Sequence, residues 1–225
     1  MAETTRTWTI CDHDCMTRLV VRPVEPLEPQ LADAVAVIRR GGVVAFPTDT
    51  LYGLAADPRS TVAVDRVVAL KGRASSQTIA LVAADLAQVE RISALTMMAR
   101  HAAAEFWPGP LTVLVRSKPG LAPSTIGPDG LVGVRVPDHD VALALARACG
   151  HALTATSANR SGQPATADPD EVAAALPDLD LLLDAGRAPG GPPSTLVDLS
   201  GDVPRLVRAG AIPWERVLEF CTSFR

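Results

Sequence analysis

Aromatic residues are scarce in this chain of 225 residues: they make up 4% of it, and Tyr52 is the only tyrosine. The cysteines are too few and too scattered for the dense disulfide framework of a small secreted domain, lying at Cys11, Cys15, Cys149 and Cys221. No apolar run reaches the ~18 residues that a membrane span needs. The first residues also lack the apolar core of a secretory signal. These absences argue against a membrane protein and predict a cytoplasmic location.

A large excess of charge of either sign is also missing. Lys and Arg number 21 against 25 Asp and Glu, which gives a formal net charge of −4. This composition argues against a protein that coats nucleic acid with a basic surface, although a local basic patch is compatible with it. Hydrophobic residues make up 48% and charged residues 20%, so the chain has enough apolar material for a packed core.

Several sequence motifs of common enzymes are absent. The chain has no Walker-type phosphate loop, no G-x-G-x-x-G, no H-E-x-x-H and no G-x-S-x-G. Its four histidines show no regular spacing with acidic residues. A nucleophilic triad and a zinc hydrolase are therefore unsupported.

Hydrophobic patterning predicts an α/β protein with one large mixed sheet of parallel and antiparallel strands, twisted and flanked by helices. Apolar residues recur at helical spacing in the first helix, at Leu31, Ala34, Val35 and Ile38. Strands and helices alternate early, and strands then bunch late, at 181–183, 194–199 and 205–207.

Two Asp-Pro pairs predict helix starts, because Asp is a good N-cap and Pro fits the first helical position. They are Asp57-Pro58 and Asp168-Pro169. The helix predicted to start at Asp57-Pro58 ends at Gly72, so Lys71 should lie at the rim of the buried face, with its ammonium group pointing out of the core.

We expect a single domain over residues 27–225, preceded by an N-terminal extension over residues 1–26. The sequence of the extension is compatible with an irregular segment or with an edge strand at 18–21. Cys11, His13 and Cys15 are potential metal ligands in it, but a fourth ligand is not evident, so we predict no metal there.

Polar residues follow the apolar strands, at the place where ligands bind in open α/β sheets. After the strand at 43–46 come Thr48, Asp49, Thr50 and Tyr52. These side chains either bind a ligand or form a turn with a core ring, and their spacing alone leaves both readings open.

Lys71 and Arg73 follow a helix closely enough to reach one anion from two sides, and Arg and Lys together suit phosphate. They would equally well complement a helix C-terminus. Ser157 and Asn159 share one face of a strand end, where they can bind a nucleotide or simply form a turn.

Three further positions complete the set. Ser194 and Thr195 begin a late strand, and Arg208 ends another. Arg135 interrupts an apolar strand, which tolerates a charge only if the head group reaches water or an anion. Taken together, these clusters are rich in cations and hydroxyls and suit an anionic ligand such as a nucleoside triphosphate.

An ordered series of motifs carries a family resemblance. It runs PTDTLYGL, KGR, FWPGPLT, VRVP, SANRSG, STLVDL and VRAG across residues 43–212. In this series the chain resembles the YrdC/TsaC family of L-threonylcarbamoyladenylate synthases, in its short, single-domain form. The resemblance implies a YrdC-like domain with a concave cationic cleft.

The resemblance also implies a reaction and a set of roles. The enzymes join L-threonine, bicarbonate and ATP with Mg²⁺, release pyrophosphate, and supply the threonylcarbamoyl group for tRNA. By resemblance, the residues that bind threonine are Thr48, Thr50, Tyr52, Arg135 and Thr195. Those that bind ATP are Lys71, Arg73, Ser157, Asn159, Ser194 and Arg208, and of these Lys71 and Arg73 also act in catalysis.

Two other functions stay open from the sequence. One is an RNA-binding module without catalysis, which the negative charge and the shortage of aromatics disfavour. The other is a relative that forms a carbamoyl adenylate for another pathway. For the synthase, the expected partners include tRNA and downstream threonylcarbamoyl transferase proteins.

Overall fold

The computed structural model describes residues 16–22, 26–72 and 78–223 of the chain. Its strands are β1 (Thr17–Val20), β2 (Val44–Phe46), β3 (Gly53–Ala55), β4 (Leu81–Val82), β5 (Ser93–Ala94), β6 (Leu111–Ser117), β7 (Leu131–Arg135), β8 (Leu153–Thr154), β9 (Thr156–Ser157), β10 (Leu181–Asp184), β11 (Thr195–Asp198) and β12 (Arg205–Arg208). Its α-helices are α1 (Leu27–Gln30), α2 (Ala32–Arg39), α3 (Thr61–Leu70), α4 (Leu86–Ile92), α5 (Met97–Phe106), α6 (Asp140–Cys149), α7 (Pro169–Ala175) and α8 (Trp214–Thr222). The predicted α/β class is confirmed.

The described strands form two mixed sheets where the sequence predicted one. The five-stranded sheet has the order β1-β10-β2-β3-β9, and the seven-stranded sheet has the order β12-β11-β6-β7-β4-β8 with β5 on β6. The chain passes from one sheet to the other at Ala155, between β8 and β9. Apolar runs show where strands lie but not which strands pair, so the division into two sheets could not be read from them.

Alternation of side chains gives the five-stranded sheet a core on each face. On β10, Leu181 and Leu183 pack into the core that α2 and α6 cover, while Leu182 packs into the core beside α3. Val44 and Phe46 of β2 likewise face the first of these cores.

The seven-stranded sheet packs only one of its faces into an apolar core covered by helices. Val132 and Val134 of β7 lie in the core covered by α5 and α8. Gly133 and Arg135 alternate with them, so they lie on the opposite face of the sheet. That second face is therefore available to form a site.

The first predicted helix is confirmed, and its apolar residues Leu31, Ala34, Val35 and Ile38 are all buried. It ends where Gly41 adopts a φ of 84°, a left-handed conformation that glycine accepts readily. Among the described helices, none is long and apolar enough to cross a membrane.

The predicted helix start at Asp57-Pro58 is wrong. The backbone N–H and the guanidinium of Arg59 both donate to the Asp57 carboxylate at 2.9 Å, so this side chain does not cap the helix. Helix α3 begins later, at Thr61, with the Ser60 hydroxyl accepting a hydrogen bond from the Ala63 N–H. At Asp168-Pro169 the prediction is confirmed, because the Asp168 carboxylate accepts a hydrogen bond from the Asp170 N–H in the first turn of α7.

The predicted edge strand near the N-terminus is confirmed by β1, which pairs in parallel with β10 at the edge of its sheet. Cys11, His13 and Cys15 lie outside the described residues. The division into an extension over 1–26 and a domain over 27–225 stays a prediction.

Candidate active site

A cavity of about 660 Å³ lies between the two sheets. Most of the side chains singled out from the sequence line it, namely Thr48, Thr50, Tyr52, Lys71, Arg135, Ser157, Asn159, Ser194 and Arg208. They come from widely separated parts of the chain, so the fold brings together what the sequence keeps apart. Arg73 lies outside the described residues, and its position in the site stays a prediction.

The floor of the cavity is the open face of the seven-stranded sheet. Thr112 and Leu114 of β6, Gly133 and Arg135 of β7, and Leu196 of β11 line it. The intervening residues on β6 and β7 are valines that pack into the core on the other side. Strand alternation therefore places a guanidinium on the same surface as small and apolar side chains.

Hydroxyl groups of the turn after β2 form one wall. Thr48 Oγ1 lies 3.1 Å from Thr50 Oγ1 and donates to the Leu51 carbonyl oxygen at 2.7 Å. Both threonines are buried. Their mutual contacts fix the turn and hold two hydroxyls beside the cavity.

Lys71 is more deeply buried than predicted, with 4% of its surface exposed. Its Nζ donates to the carbonyl oxygens of Ser157 at 2.5 Å and of Asn159 at 3.0 Å. In turn, the Ser161 N–H donates to the Lys71 carbonyl oxygen at 2.8 Å. The lysine therefore holds the segment 157–161 against the end of α3 while its ammonium borders the cavity.

Arg135 is 6% exposed, and its nearest charge is the carboxylate of Asp49, with Nη1 and Oδ1 3.3 Å apart. Burial lowers the pKa of Arg135, and the Asp49 carboxylate opposes that shift. An arginine with such a high ordinary pKa still keeps its charge, so the cavity contains a largely desolvated cation.

Ser194 and Arg208 meet at the other end of the floor. Arg208 Nη2 donates to the Ser194 carbonyl oxygen at 2.8 Å, and Ser194 Oγ lies 2.8 Å from Thr112 Oγ1. Thr112 is not among the site residues predicted from the sequence. A polar residue within the apolar strand LTVLV is the signal that could have identified it, as it did for Arg135.

The hydroxyls of Thr195 and Tyr52 bind backbone groups that do not line the cavity. Thr195 does not line the cavity; its Oγ1 donates to the Ile212 carbonyl oxygen at 2.6 Å and accepts from the Ile212 N–H at 2.9 Å. Tyr52 does line the cavity, but its hydroxyl donates to the Gly186 carbonyl oxygen at 2.7 Å. Burial raises the pKa of Tyr52 above its ordinary value, so the phenol stays protonated.

Replacing Tyr52 with phenylalanine should therefore affect stability more than binding. Loss of the hydrogen bond to the Gly186 carbonyl oxygen is expected to cost about 1 kcal/mol of unfolding free energy. Denaturant titration measures this loss. Substrate affinity should change less than about threefold, because the ring still fills its place; a tenfold loss of affinity would mean that the hydroxyl itself contacts substrate.

Comparison with known proteins identifies the chain's relatives. The family model named Sua5_yciO_yrdC and described as "Telomere recombination" matches residues 36–210. The threonylcarbamoyl-AMP synthase of Bacillus subtilis is 39% identical over 202 residues, which are 84% of this chain and 56% of that protein. The threonylcarbamoyl-AMP synthase of Chromohalobacter salexigens is 38% identical over 178 residues, which are 78% of this chain and 96% of that protein.

A solved structure shows the same fold. The crystal structure of P. abyssi Sua5 complexed with L-threonine superposes with a TM-score of 0.85 at 32% identity, covering 90% of this chain and 60% of that one. The chain thus spans little more than half the length of the B. subtilis and P. abyssi relatives. Because the family model covers most of its length and the aligned relatives agree, the chain belongs to the Sua5/YciO/YrdC family.

Proposed function

We propose that the chain is a threonylcarbamoyl-AMP synthase, which joins L-threonine, bicarbonate and ATP and releases pyrophosphate. The observation that carries the proposal is the convergence of Lys71, Arg135 and Arg208 on one cavity beside several hydroxyl groups. The names of the relatives and the L-threonine complex of P. abyssi Sua5 support the same activity.

The reaction explains why such a cavity would need cations. Threonine's carboxylate, the carbamate formed from its amine and bicarbonate, and the ATP phosphates are all anions that must lie close together. They repel one another in water, so a site that holds them requires fixed positive charges and preorganised donors. The cations of this cavity supply the charges and N–H donors, and its Thr and Ser hydroxyls supply further polar contacts.

The threonine end of the site is proposed at Arg135 and the turn after β2. The Arg135 guanidinium would pair with the substrate carboxylate in a charge-assisted contact. Thr48 and Thr50 would receive the rest of the amino acid, with Tyr52 forming the wall behind them. Thr195 would act from behind the cavity, by holding the backbone at Ile212.

The nucleotide would lie along the remaining rim. Lys71, together with Arg73 of the same KGR motif, would neutralise the phosphates. Ser157 and Asn159 would bind the nucleotide beside Lys71, which already holds their carbonyl oxygens. At the far end, Ser194 and Arg208 would complete the ATP site.

The chemical step needs no activated side-chain nucleophile. A carbamate oxygen attacks the α-phosphorus of ATP, the bond to the bridging oxygen breaks, and pyrophosphate leaves with its electron pair. Positioning and charge neutralisation can carry most of the rate enhancement in such transfers. The absence of a Ser-His or Cys-His motif from the sequence is therefore compatible with the proposal.

Mg²⁺ is proposed to enter the site bound to the ATP phosphates. Within the described ranges, no cluster of three or more His, Cys, Asp or Glu side chains is placed to hold a metal ion. These residues therefore do not fit a dedicated protein site for Mg²⁺, and hard oxygen ligands would have to come from the phosphates and water.

The product would serve tRNA modification in the cytoplasm, through downstream threonylcarbamoyl transferase proteins. The concave cationic cleft expected from the resemblance belongs to the same proposal, with Arg73 as its further cation. A synthase that hands its product to these proteins requires no extended basic surface of its own, which agrees with the net charge of −4.

Incubation with ATP, bicarbonate, Mg²⁺ and L-threonine tests the activity. We expect pyrophosphate release that depends on threonine and on bicarbonate, since both form the nucleophile. Reactions that lack either one are the controls. Pyrophosphate release that is unchanged by omitting threonine, or no release at all, would contradict the proposed function.

A further inference from the structure

We propose that Asp49 determines specificity at this site, by making it prefer a zwitterionic α-amino acid to an anion that lacks the ammonium group. This inference rests on the proposed function, because it assumes that Arg135 receives the substrate carboxylate. It adds a role for a residue that does not itself line the cavity.

Asp49 lies directly behind the cavity wall. Its neighbours Thr48 and Thr50 both line the cavity, whereas its own side chain is 8% exposed. Both carboxylate oxygens are buried, and neither has a hydrogen-bond partner among the described residues. A buried carboxylate without hydrogen bonds is costly unless a charge nearby compensates it. That charge is Arg135, at 3.3 Å.

The contact between Asp49 and Arg135 is a charge contact rather than a hydrogen bond. None of the residues that the structure describes accepts a hydrogen bond from the Arg135 guanidinium. Asp49 therefore compensates the buried cation without using its N–H donors. The planar donor group is left for a ligand carboxylate, which it can bind in a bidentate manner.

The other ionisable groups near Asp49 and Arg135 are His139 and Arg208. His139 lies close enough to interact electrostatically with Asp49. Burial lowers the pKa of His139, so its imidazole is neutral near pH 7. The Arg208 guanidinium lies near enough to Arg135 to lower the pKa of Arg135, and it adds positive charge at the proposed nucleotide end. At the threonine end, the local pair of Asp49 and Arg135 has no net charge.

A neutral pair of opposite charges favours a ligand with the same arrangement. The ammonium group of an α-amino acid is attracted by Asp49 while its carboxylate is attracted by Arg135. A ligand with a hydroxyl group in place of the ammonium keeps the repulsion from Asp49 and loses the attraction. At separations of several ångströms in a partly desolvated site, such an interaction corresponds to at least about a tenfold difference in affinity.

Calorimetric titration with two ligands tests the inference. The ligands are L-threonine and the 2,3-dihydroxybutanoate of matching stereochemistry, which carries a hydroxyl in place of the ammonium. The unmodified protein should bind threonine at least about tenfold more tightly than the hydroxy acid. In Asp49→Asn the ratio of the two dissociation constants should fall by at least about tenfold, whatever happens to the absolute affinities, since both ligands use Arg135.

Asp198→Asn is the matched control. Asp198 is also a buried acid, with a side chain 7% exposed, and it is paired with Arg205 at 2.5 Å, but it does not line the cavity or contact Arg135. This variant should lose stability and keep the affinity ratio of the unmodified protein. An unchanged ratio in Asp49→Asn, or an equal fall in Asp198→Asn, would overturn the inference.

If Asp49→Asn does not fold, the affinities of the unmodified protein for threonine and for the hydroxy acid test the inference. A hydroxy acid that binds as tightly as threonine would then overturn the inference. Failure of the proposed function looks different: the unmodified protein would release no pyrophosphate in response to threonine. Threonine-dependent release with no preference for the zwitterion rejects only the role of Asp49.

Discussion

Replacing Lys71 with methionine should lower threonine-dependent pyrophosphate release at least ~100-fold, by analogy with the loss of a single donor that stabilises transition-state charge. Methionine keeps the length and apolar stem of the side chain and removes its ammonium group. The transition state would then form beside the phosphates without the cation that holds the segment 157–161. Steady-state assays at saturating ATP and threonine measure the effect.

Lys118 offers a matched control, because it is the only other lysine in the chain. Its side chain is exposed and donates to the Glu90 carbonyl oxygen, and it does not line the cavity. Lys118→Met should retain nearly full activity. Since Lys71→Met also removes a donor from buried carbonyl oxygens, its folding is checked by thermal unfolding. A folded Lys71→Met variant with normal turnover would contradict the role of this lysine.

Gly210→Ala should be the most destabilising of the single-methyl changes considered, with a loss of about 3 kcal/mol in unfolding free energy. The reason is close approach of the backbone. A Cβ at Gly210 would lie well inside 3.0 Å of the Pro193 carbonyl oxygen and the Thr195 N–H nitrogen. Both contacts are rigid backbone atoms, so the loop after β12 would have to separate from the start of β11.

The same separation would disturb the nucleotide end of the site, because Arg208 and Ser194 lie on the two segments that would move apart. We therefore expect weaker ATP binding as well as lower stability. Gly201→Ala is the control, since nothing lies within 4 Å of its added Cβ, and its effect should stay within about 0.5 kcal/mol. Equal stabilities for the two variants would contradict the close packing of these segments.

Strand and helix positions could largely be predicted, because an element with one buried face repeats apolar residues at the period of a helix or a strand. The apolar residues of α2 and the valines of β7 occupy buried positions as their spacing indicated. Pairing between distant strands leaves no periodic pattern in the sequence, which is why the sequence predicts one sheet where the structure has two. The helix start predicted at Asp57 is wrong for a local reason: residues 57–60 form a turn, and the Ser60 hydroxyl caps α3 instead.

The candidate site could be predicted in part for the same reason. Polar residues at strand ends, such as Arg135 and Asn159, stand out against apolar runs, and the structure brings them to one cavity. The direction of each side chain does not follow from position alone. Thr195 is next to Ser194 in the chain, yet alternation along β11 places its hydroxyl on Ile212, outside the cavity. The role proposed for Asp49 likewise depends on its distance from Arg135, which no sequence spacing reveals.

Direct detection of the product is the most decisive measurement of the proposed activity. The protein is incubated with ATP, L-threonine, Mg²⁺ and carbon-13-labelled bicarbonate, and the nucleotides are analysed by mass spectrometry. We expect a threonylcarbamoyl adenylate that carries the label, formed together with pyrophosphate. Recovery of unreacted ATP, or of AMP and ADP without a labelled adenylate, would contradict the assignment of this cavity to threonylcarbamoyl-AMP synthesis.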